Sequence, residues 1–539
     1  MERKKTMTEF IFCTAAIIFF CVIAEKFSDK FGMPALILFM FVGIMFGSDG
    51  IFGIPFEDFA LAEKLCSIAL IFIMFYGGFN TKWETAKQVA GKAVLLSTVG
   101  VFVTAAITTV LCYYFLHMPF AESFLIGAVL SSTDAASVFA ILRKNKLNLK
   151  DGTASILEVE SGSNDPVAYL LTVIAINMVL TGEMGSVIVP IILQLAIGVA
   201  VGLIFAKGCV YIVTRTGLVS DGLDTVYFIA AVLICYAVTD LLGGNAYLSV
   251  YLFGIYTGNR RIKNKQTIIA FFDGLTSLSQ ILIFFLIGLL SFPHQMPKIM
   301  GTAVFIVVIL TLIARPIATF LLIKPLKCST NQCLLIAWAG LRGASSSVFA
   351  IMAVAAGVSM RQDLFHIVFM VSLFSVALQG TLLPKAAKLF DMIDDNSDVR
   401  KTFNDYQDVT DFKLVRMHIN PGHIWENSFI RDVSMPTGTL AIMIKRGKQT
   451  IVTKGDTQIL TGDDLIISVP PYHPGKHEKL REIEIGKNDA WCNKEIKELK
   501  VPKNELITMV IRGEDTIIPD GSTKILENDV VVVYQAEMA

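Results

Sequence analysis

Up to about residue 390 the chain alternates long apolar runs with short polar loops; beyond about residue 411 its apolar residues come in short alternating stretches. A helix needs roughly 20 apolar residues to cross a bilayer. The first pattern predicts about 13 spanning helices, at 9–27, 33–48, 62–79, 91–116, 121–143, 154–181, 187–214, 224–242, 245–258, 268–291, 298–323, 331–357 and 363–388. The second and ninth are short for a bilayer, and short or interrupted spans accompany irregular backbone that lines a cavity. The second pattern, with Gly and Asp turns between runs such as Leu465-Ile466-Ile467 and Val530-Val531-Val532-Val533, predicts strands.

Polar residues inside the apolar spans carry the chemistry. The span 154–181 holds Glu160, Ser161, Ser163, Asn164 and Asp165. A carboxylate at mid-membrane costs about 2.5–3.5 kcal/mol on insertion scales, so its default reading is an ion or proton site. Glu160 and Asn164 are four apart and share a helix face; Asp165 lies about 100° further round. The fifth span contains Leu130-Ser131-Ser132-Thr133-Asp134-Ala135-Ala136-Ser137, and the twelfth contains Ala339-Gly340-Leu341-Arg342-Gly343-Ala344-Ser345-Ser346-Ser347. With the seventh span as a linker, spans one to six and eight to thirteen form two halves of opposite topology, and the two interruptions fall at corresponding positions. Such a pair predicts two broken helices crossing at the midplane, where helix ends and unwound carbonyls meet an ion. Close packing through small residues explains either stretch alone; the matched pair beside Asp165 favours the ion site.

Charge sets the orientation. Basic residues collect in alternate loops: Lys26 and Lys30; Lys82, Lys87 and Lys92; Arg143, Lys144, Lys146 and Lys150; Arg260, Arg261, Lys263 and Lys265; Lys324 and Lys327; Lys385 and Lys388. That side is cytoplasmic, which puts the amino terminus outside and the tail inside, against the local sign of Arg3-Lys4-Lys5. Net charge is +0 and charged residues are 17% of the 539, which gives no reason to expect a nucleic-acid partner. The nine cysteines are scattered without paired spacing and read as small buried apolar residues rather than a disulfide framework or zinc site. The start shows no convincing signal-peptide cleavage site.

After Lys388, Asp391-Met392-Ile393-Asp394-Asp395-Asn396-Ser397-Asp398 opens an acidic connector. The tail then repeats itself at an offset of about 66 residues: Trp425, Asn427, Ile430, Pro436, Arg446, Gly447, Gly455 and Asp463 return as Trp491, Asn493, Ile496, Pro502, Arg512, Gly513, Gly521 and Asp529. Neither copy shows a nucleophile–base pair, a metal cluster or a phosphate-cradling loop. The fold expected is a polytopic α-helical membrane protein with inverted repeats, followed by two small cytoplasmic α+β domains. Residues 1–390 would form the membrane domain, 391–410 the connector, and 411–473 and 480–539 the two modules, with Pro470-Pro471-Tyr472-His473-Pro474-Gly475 between them.

Ser131-Ser132-Thr133-Asp134-Ala135-Ala136, followed by Glu160-Ser161-Gly162-Ser163-Asn164-Asp165-Pro166, resembles the monovalent cation:proton antiporters of the NhaP/NHE type, and most the bacterial potassium/proton branch. The likeness continues through Gly243-Gly244-Asn245-Ala246-Tyr247-Leu248, Gln280, Gly288-Leu289-Leu290, Gly340-Leu341-Arg342-Gly343-Ala344 and Gln379-Gly380, across essentially the whole membrane part. The tail copies resemble the TrkA-C domain of potassium channels and transporters. The resemblance implies that Asp165 holds the monovalent cation or the proton, with Asn164 beside it. Thr133 and Asp134 would stand at the first helix break, Thr133 ligating through its backbone, and Ser161 would add an oxygen. Glu160 would pair with Arg342 and tie the broken regions together. Ser345-Ser346-Ser347 stands where the family leads one to expect apolar residues, so Ser345 and Ser346 are accessory hydroxyls or space fillers. Arg315, before Pro316, is an accessory charge of open role.

The resemblance further implies a homodimer in the bilayer of a bacterial cytoplasmic (inner) membrane, with K+ or Na+ and H+ as substrates and no cofactor. It also implies a small cytoplasmic regulator on the tail, such as a cyclic dinucleotide. One free carboxylate, with neutral Asn164 and a paired Glu160, implies electroneutral one-for-one exchange by alternating access. The alternatives are Na+/H+ exchange at the same site, a potassium channel, and a membrane sensor that moves nothing. A channel needs a carbonyl-lined filter loop of the Thr-Val-Gly kind, and the sequence has none; a sensor predicts that Asp165 and Arg342 tolerate replacement.

Overall fold

In the computed structural model, the residues described are 2–31, 34–81, 83–145, 147–182, 188–216, 222–260, 262, 264–394, 413–436, 438–447, 449–469, 478–487, 489–499, 501–502, 505–512, 515–517 and 519–536. Most of the acidic connector and the 470–475 linker lie outside them. The chain divides into two compact units, Met1–Val399 and Arg400–Ala539.

The first unit is helical. Its helices are α1 (Glu2–Phe31), α2 (Ala35–Phe46), α3 (Phe59–Asn80), α4 (Trp83–Leu95), α5 (Val101–Phe115), α6 (Phe120–Val129), α7 (Ala135–Lys144), α8 (Thr153–Thr181), α9 (Ile188–Tyr211) and α10 (Asp224–Leu241). They continue as α11 (Ala246–Gly258), α12 (Lys265–Leu289), α13 (Met296–Ile309), α14 (Arg315–Ile323), α15 (Thr330–Trp338), α16 (Ala344–Ala355), α17 (Leu364–Phe374) and α18 (Thr381–Leu389). Among the described residues, 8 helical stretches are long and apolar enough to cross a membrane, and Ala35–Phe46, Phe120–Val129 and Ala344–Ala355 are shorter apolar helices. Four helical joints are π turns, two of which, Leu310–Ala314 and Ser375–Gly380, come next to residues of the site described below. A π turn adds a residue to one helical turn and so re-aims the side chains that follow it.

Lipid tails are as apolar as leucine, so helices in a membrane associate through close backbone approach at small residues. Gly43 of α2 meets Gly288 of α12, and a Cβ on either would strike the backbone of the other helix. Gly78 of α3 and Gly254 of α11 do the same: a Cβ on Gly78 would run into the Tyr251 carbonyl, and one on Gly254 into the Phe75 carbonyl. The start of the acidic connector is packed and not free. Lys150 Nζ pairs with Asp391 Oδ1 at 2.9 Å, the Lys150 amide donates to the Met392 carbonyl at 3.0 Å, and Leu149 bridges Ile393.

The second unit corrects the α+β expectation. Each tail copy is a four-stranded antiparallel sheet with one 3₁₀ turn, and no α-helix occurs among its described residues. Strands β1 (Lys413–His418), β2 (Leu440–Arg446), β3 (Gln449–Val452) and β4 (Asp464–Val469) are ordered β1-β4-β2-β3; β5 (Glu478–Glu484), β6 (Glu505–Arg512), β7 (Asp515–Ile517) and β8 (Val530–Ala536) are ordered β5-β8-β6-β7. The segment between the first two strands of each copy cannot settle as an α-helix. Asn427 and Asn493 sit in the left-handed region, at φ 63 and φ 64, and Pro436 and Pro502 follow within about ten residues. The register shift between Ala441 and Met443 recurs between Ile507 and Met509. The repeat extends to side-chain chemistry. Arg446 forks onto Asp463 with both bonds at 2.8 Å, and Arg512 onto Asp529 at 2.9 and 2.8 Å; each Arg also donates to a carbonyl, that of Gln458 or Lys524. The carboxylates are buried, and the Arg512 fork holds Asp529 below the usual carboxylate range.

Two outcomes follow from this packing. Gly78→Ala forces the α3–α11 contact apart and lowers the thermal midpoint of the detergent-solubilised protein, by about 1–3 kcal/mol in stability. Gly77→Ala, one residue away with open space around it, leaves the midpoint unchanged or slightly raised; equal effects of the two would refute the close-approach account. Arg512→Ala strands a buried carboxylate and removes charge-assisted bonds, a loss of about 1.5–3 kcal/mol. Hydrogen exchange of the β8 amides should then quicken about ten- to hundredfold while β4 is unaffected. Because Asp529 is depressed in the folded state, this stabilisation is present above the ordinary aspartate value of about 3.9 and is lost as pH falls through the folded value.

Candidate functional site

Two short helix pairs build the site. Helix α6 stops at Val129 and α7 restarts at Ala135; α15 stops at Trp338 and α16 restarts at Ala344. The two linkers touch, the Asp134 amide donating to the Leu341 carbonyl at 2.8 Å. Side chains at the restarts are small for a steric reason: a Cβ on Gly343 would strike the Asp134 carboxylate, and one on Gly340 would lie 2.8 Å from Arg315 Nε. Asp134 itself turns back to its own helix, accepting from the Ser137 amide at 3.2 Å and the Ser137 hydroxyl at 2.5 Å. This is an N-terminal cap.

Helix α8 passes this crossing with Glu160, Ser161, Asn164 and Asp165 all buried. Ser132 donates a very short hydrogen bond to Asp165 Oδ1. Ser345, at the start of α16, faces the same carboxylate. Asn164 Nδ2 donates to the Thr133 hydroxyl at 2.5 Å, and Ser161 donates to the Thr133 carbonyl at 2.7 Å. That carbonyl keeps a second lone pair. Asn164 Oδ1 is buried without a hydrogen-bond partner, as is the Ser346 hydroxyl. The Asp165 carboxylate, Asn164 Oδ1, Ser345 Oγ and the Thr133 oxygens are hard oxygen donors, the set that suits a desolvated monovalent cation, and Asp165 alone among them can exchange a cation for a proton.

The charges around this centre correct one expectation. Glu160 pairs with Arg315 and not with Arg342: Arg315 Nη2 lies 2.5 Å from Glu160 Oε1, in ionic contact without hydrogen-bond alignment, and both side chains are buried to 3% exposure or less. Arg342 is taken up elsewhere. Its Nη1 donates to the Ser131 and Ser132 carbonyls at 3.0 and 2.6 Å, where the end of α6 gathers the negative pole of its peptide dipoles. Its amide donates to Ser375 Oγ at 2.9 Å, and Ser375 in turn donates to Gln379 Oε1 at 2.5 Å within the π turn. Arg342 therefore ties the two linkers together through carbonyls. Arg315, directly after the other π turn, is the counter-charge of Glu160. A lone arginine in an apolar span was a signal that a buried acid must face it, but sequence could not choose between two arginines. Ser132 and Ser375 are the other residues whose place at the site emerges only in space.

Comparison with known proteins places the chain. Residues 15–388 match the family described as sodium/hydrogen exchanger, transmembrane, and residues 480–534 match the TrkA-C domain. The chain is 35% identical over 369 residues to the K(+)/H(+) antiporter NhaP of Alkalimonas amylolytica, a match over 68% of this chain and 64% of that protein. It is 30% identical over 498 residues to the K(+)/H(+) antiporter NhaP2 of Shewanella baltica, covering 91% of this chain and 85% of that one. The sodium proton antiporter MjNhaP1 of Methanocaldococcus jannaschii shares the fold, with a TM-score of 0.62 and 23% identity over 71% of this chain and 99% of its own. The chain belongs to the sodium/hydrogen exchanger family of cation:proton antiporters, secondary transporters and not enzymes.

Proposed function

We propose that this protein exchanges a monovalent cation, K+ in preference to Na+, for protons across a bacterial cytoplasmic membrane, one for one, with Asp165 as the shared ligand. The observation that carries the reading is the buried Asp165 carboxylate, which stands beside the two helix-pair linkers with no cationic partner among the described residues. Asp165 faces the hydroxyls of Ser132 and Ser345, while the neighbouring acids are already engaged: Glu160 by Arg315, Asp134 by Ser137. A site that carries either a proton or a univalent cation, and is otherwise neutral, moves no net charge per cycle. K+ is favoured because the relatives in Alkalimonas and Shewanella are named as potassium antiporters.

In this reading the helices make about 13 crossings, the α6–α7 and α15–α16 pairs are single broken helices crossing at the midplane, and the amino terminus lies outside. One bundle moves against the other to expose Asp165 alternately to each side. The tail copies, 411–473 and 480–539, act as two cytoplasmic TrkA-C-like regulators that bind a small effector of the cyclic-dinucleotide class and bias the two states; the shared strand order of the two sheets supports extending the domain from the second copy to the first. The protein works as a homodimer, and α9, whose apolar window is only 17% buried, presents a face for lipid or a second copy.

Purified protein in vesicles loaded with a pH dye should release or take up protons when K+ is added outside, at lower concentration than for Na+. Asp165→Asn should abolish this. Asn164→Asp adds a second titrating acid and should make the flux respond to an imposed membrane potential, which the natural protein ignores. Flux that survives Asp165→Asn would remove that residue from the exchange. A stronger response to Na+ would reassign the ion. The assigned ion pair has its own readout. Glu160→Gln and Arg315→Met should each lower thermal stability by about 3–5 kcal/mol by leaving a buried charge alone, and the double variant should recover much of it. A larger coupling between Glu160 and Arg342 in the same cycle would reverse the pairing.

A further inference from the structure

Helix α8 carries Asp165 and, one turn later, Tyr169; α16 carries Ser345 and, one turn later, Phe349. Residues four apart on a helix stack one above the other. Since Asp165 and Ser345 meet at the site, Tyr169 and Phe349 must meet directly above it, and their ring centroids are 5.9 Å apart. A third ring closes the triangle. Tyr247 of α11 lies 5.0 Å from Tyr169, edge to face, and 6.4 Å from Phe349. Tyr236 of α10 backs it at 5.3 Å. Tyr247 and Phe349 are fully buried.

Tyr247 is held in place by a dedicated contact. Asn245 Nδ2 donates to the Pro166 carbonyl at 2.7 Å, while its Oδ1 caps α11 by accepting the Leu248 amide at 3.0 Å. One buried side chain thus fixes the first turn of α11 to the residue that follows Asp165. Four residues further along α11, Tyr251 packs on the other side, its ring so close to Gly162 that a Cβ there would strike it. Helix α11 therefore brackets Asp165 with one tyrosine per side, and among the described residues only the Tyr247 side carries a closed cluster of rings from three helices.

We infer that Tyr169, Tyr247 and Phe349 form the outer gate of the transport site, a dry aromatic plug that separates Asp165 from the extracellular face and must part for the outward-facing state, with Asn245 as its positioning residue. The inference rests on the antiport reading for its direction, since the end of α8 beyond Tyr169 is the outer one by that reading. Three rings from α8, α11 and α16, in contact with one another, leave no room between them for a hydrated cation, so passage to the outside requires them to separate.

The test reads access and not flux. Ser345→Cys is introduced, and right-side-out and inverted membrane vesicles are treated with a membrane-impermeant thiol reagent. Modification is followed by mass spectrometry of the peptide that contains position 345, so the native cysteines do not interfere. With the rings intact, labelling from outside should be slow. Adding Phe349→Ala removes two ring contacts and should speed labelling from outside about tenfold or more, with labelling from the cytoplasmic side unchanged. Phe349→Leu, which keeps most of the volume, should give a smaller rise in the same direction and serves if the alanine variant does not fold. Tyr169→Phe keeps the ring and should keep the protection. Rapid outside labelling with all three rings present, or no change in either Phe349 variant, would overturn the gate. Loss of cation-evoked proton flux in the unaltered protein would instead sink the antiport reading and leave the access result standing.

Discussion

An ionised side chain out of reach of water must find a partner of opposite charge or a fan of dipoles, and in the membrane half of this protein that constraint organises everything near the centre. Glu160 and Arg315 satisfy it with each other. Arg342 satisfies it with two carbonyls at the end of α6, and by doing so draws the α15–α16 linker onto the α6–α7 linker. Asp134 satisfies it with the first turn of α7. Once these are accounted for, Asp165 is left, among the described residues near the crossing, with serine hydroxyls and no cationic partner.

The linkers between α6 and α7 and between α15 and α16 make this arrangement possible. A helix spends its amides and carbonyls on itself; a linker leaves free carbonyls such as those of Ser131, Ser132 and Leu341, and all three accept bonds across the contact. The glycines supply the remaining freedom. Gly340 and Gly343 leave room for Arg315 and Asp134, and Gly162 leaves room for the Tyr251 ring. Small residues around the site are thus small because charged or aromatic side chains occupy the space a Cβ would need.

The tail follows a different logic. Each copy is too small to rely on its apolar core alone, and each adds the same fork of an arginine on a buried aspartate, the same left-handed asparagine and the same bulge in its central region. These features recur because they fix the turns on which the strand register depends.

The sequence by itself determined the membrane-embedded half, the polar stretches at 130–137 and 339–347, the polar residues inside the 154–181 span, and the duplication of the tail. All of these are local in the chain: hydropathy, a polar break, or a repeated spacing can be read without knowing what lies opposite. Only the tertiary structure decided who faces whom. The choice of Arg315 over Arg342 for Glu160, the hydrogen bond from Ser132 to Asp165, and the link from Asn245 to Pro166 join residues tens to more than a hundred positions apart, and a helix's sequence fixes which face a side chain is on but not which helix that face meets. The same limit produced the α+β expectation for the tail, where short segments with Asn427 and Pro436 had room in the sequence for a helix and found in space only a 3₁₀ turn against a sheet.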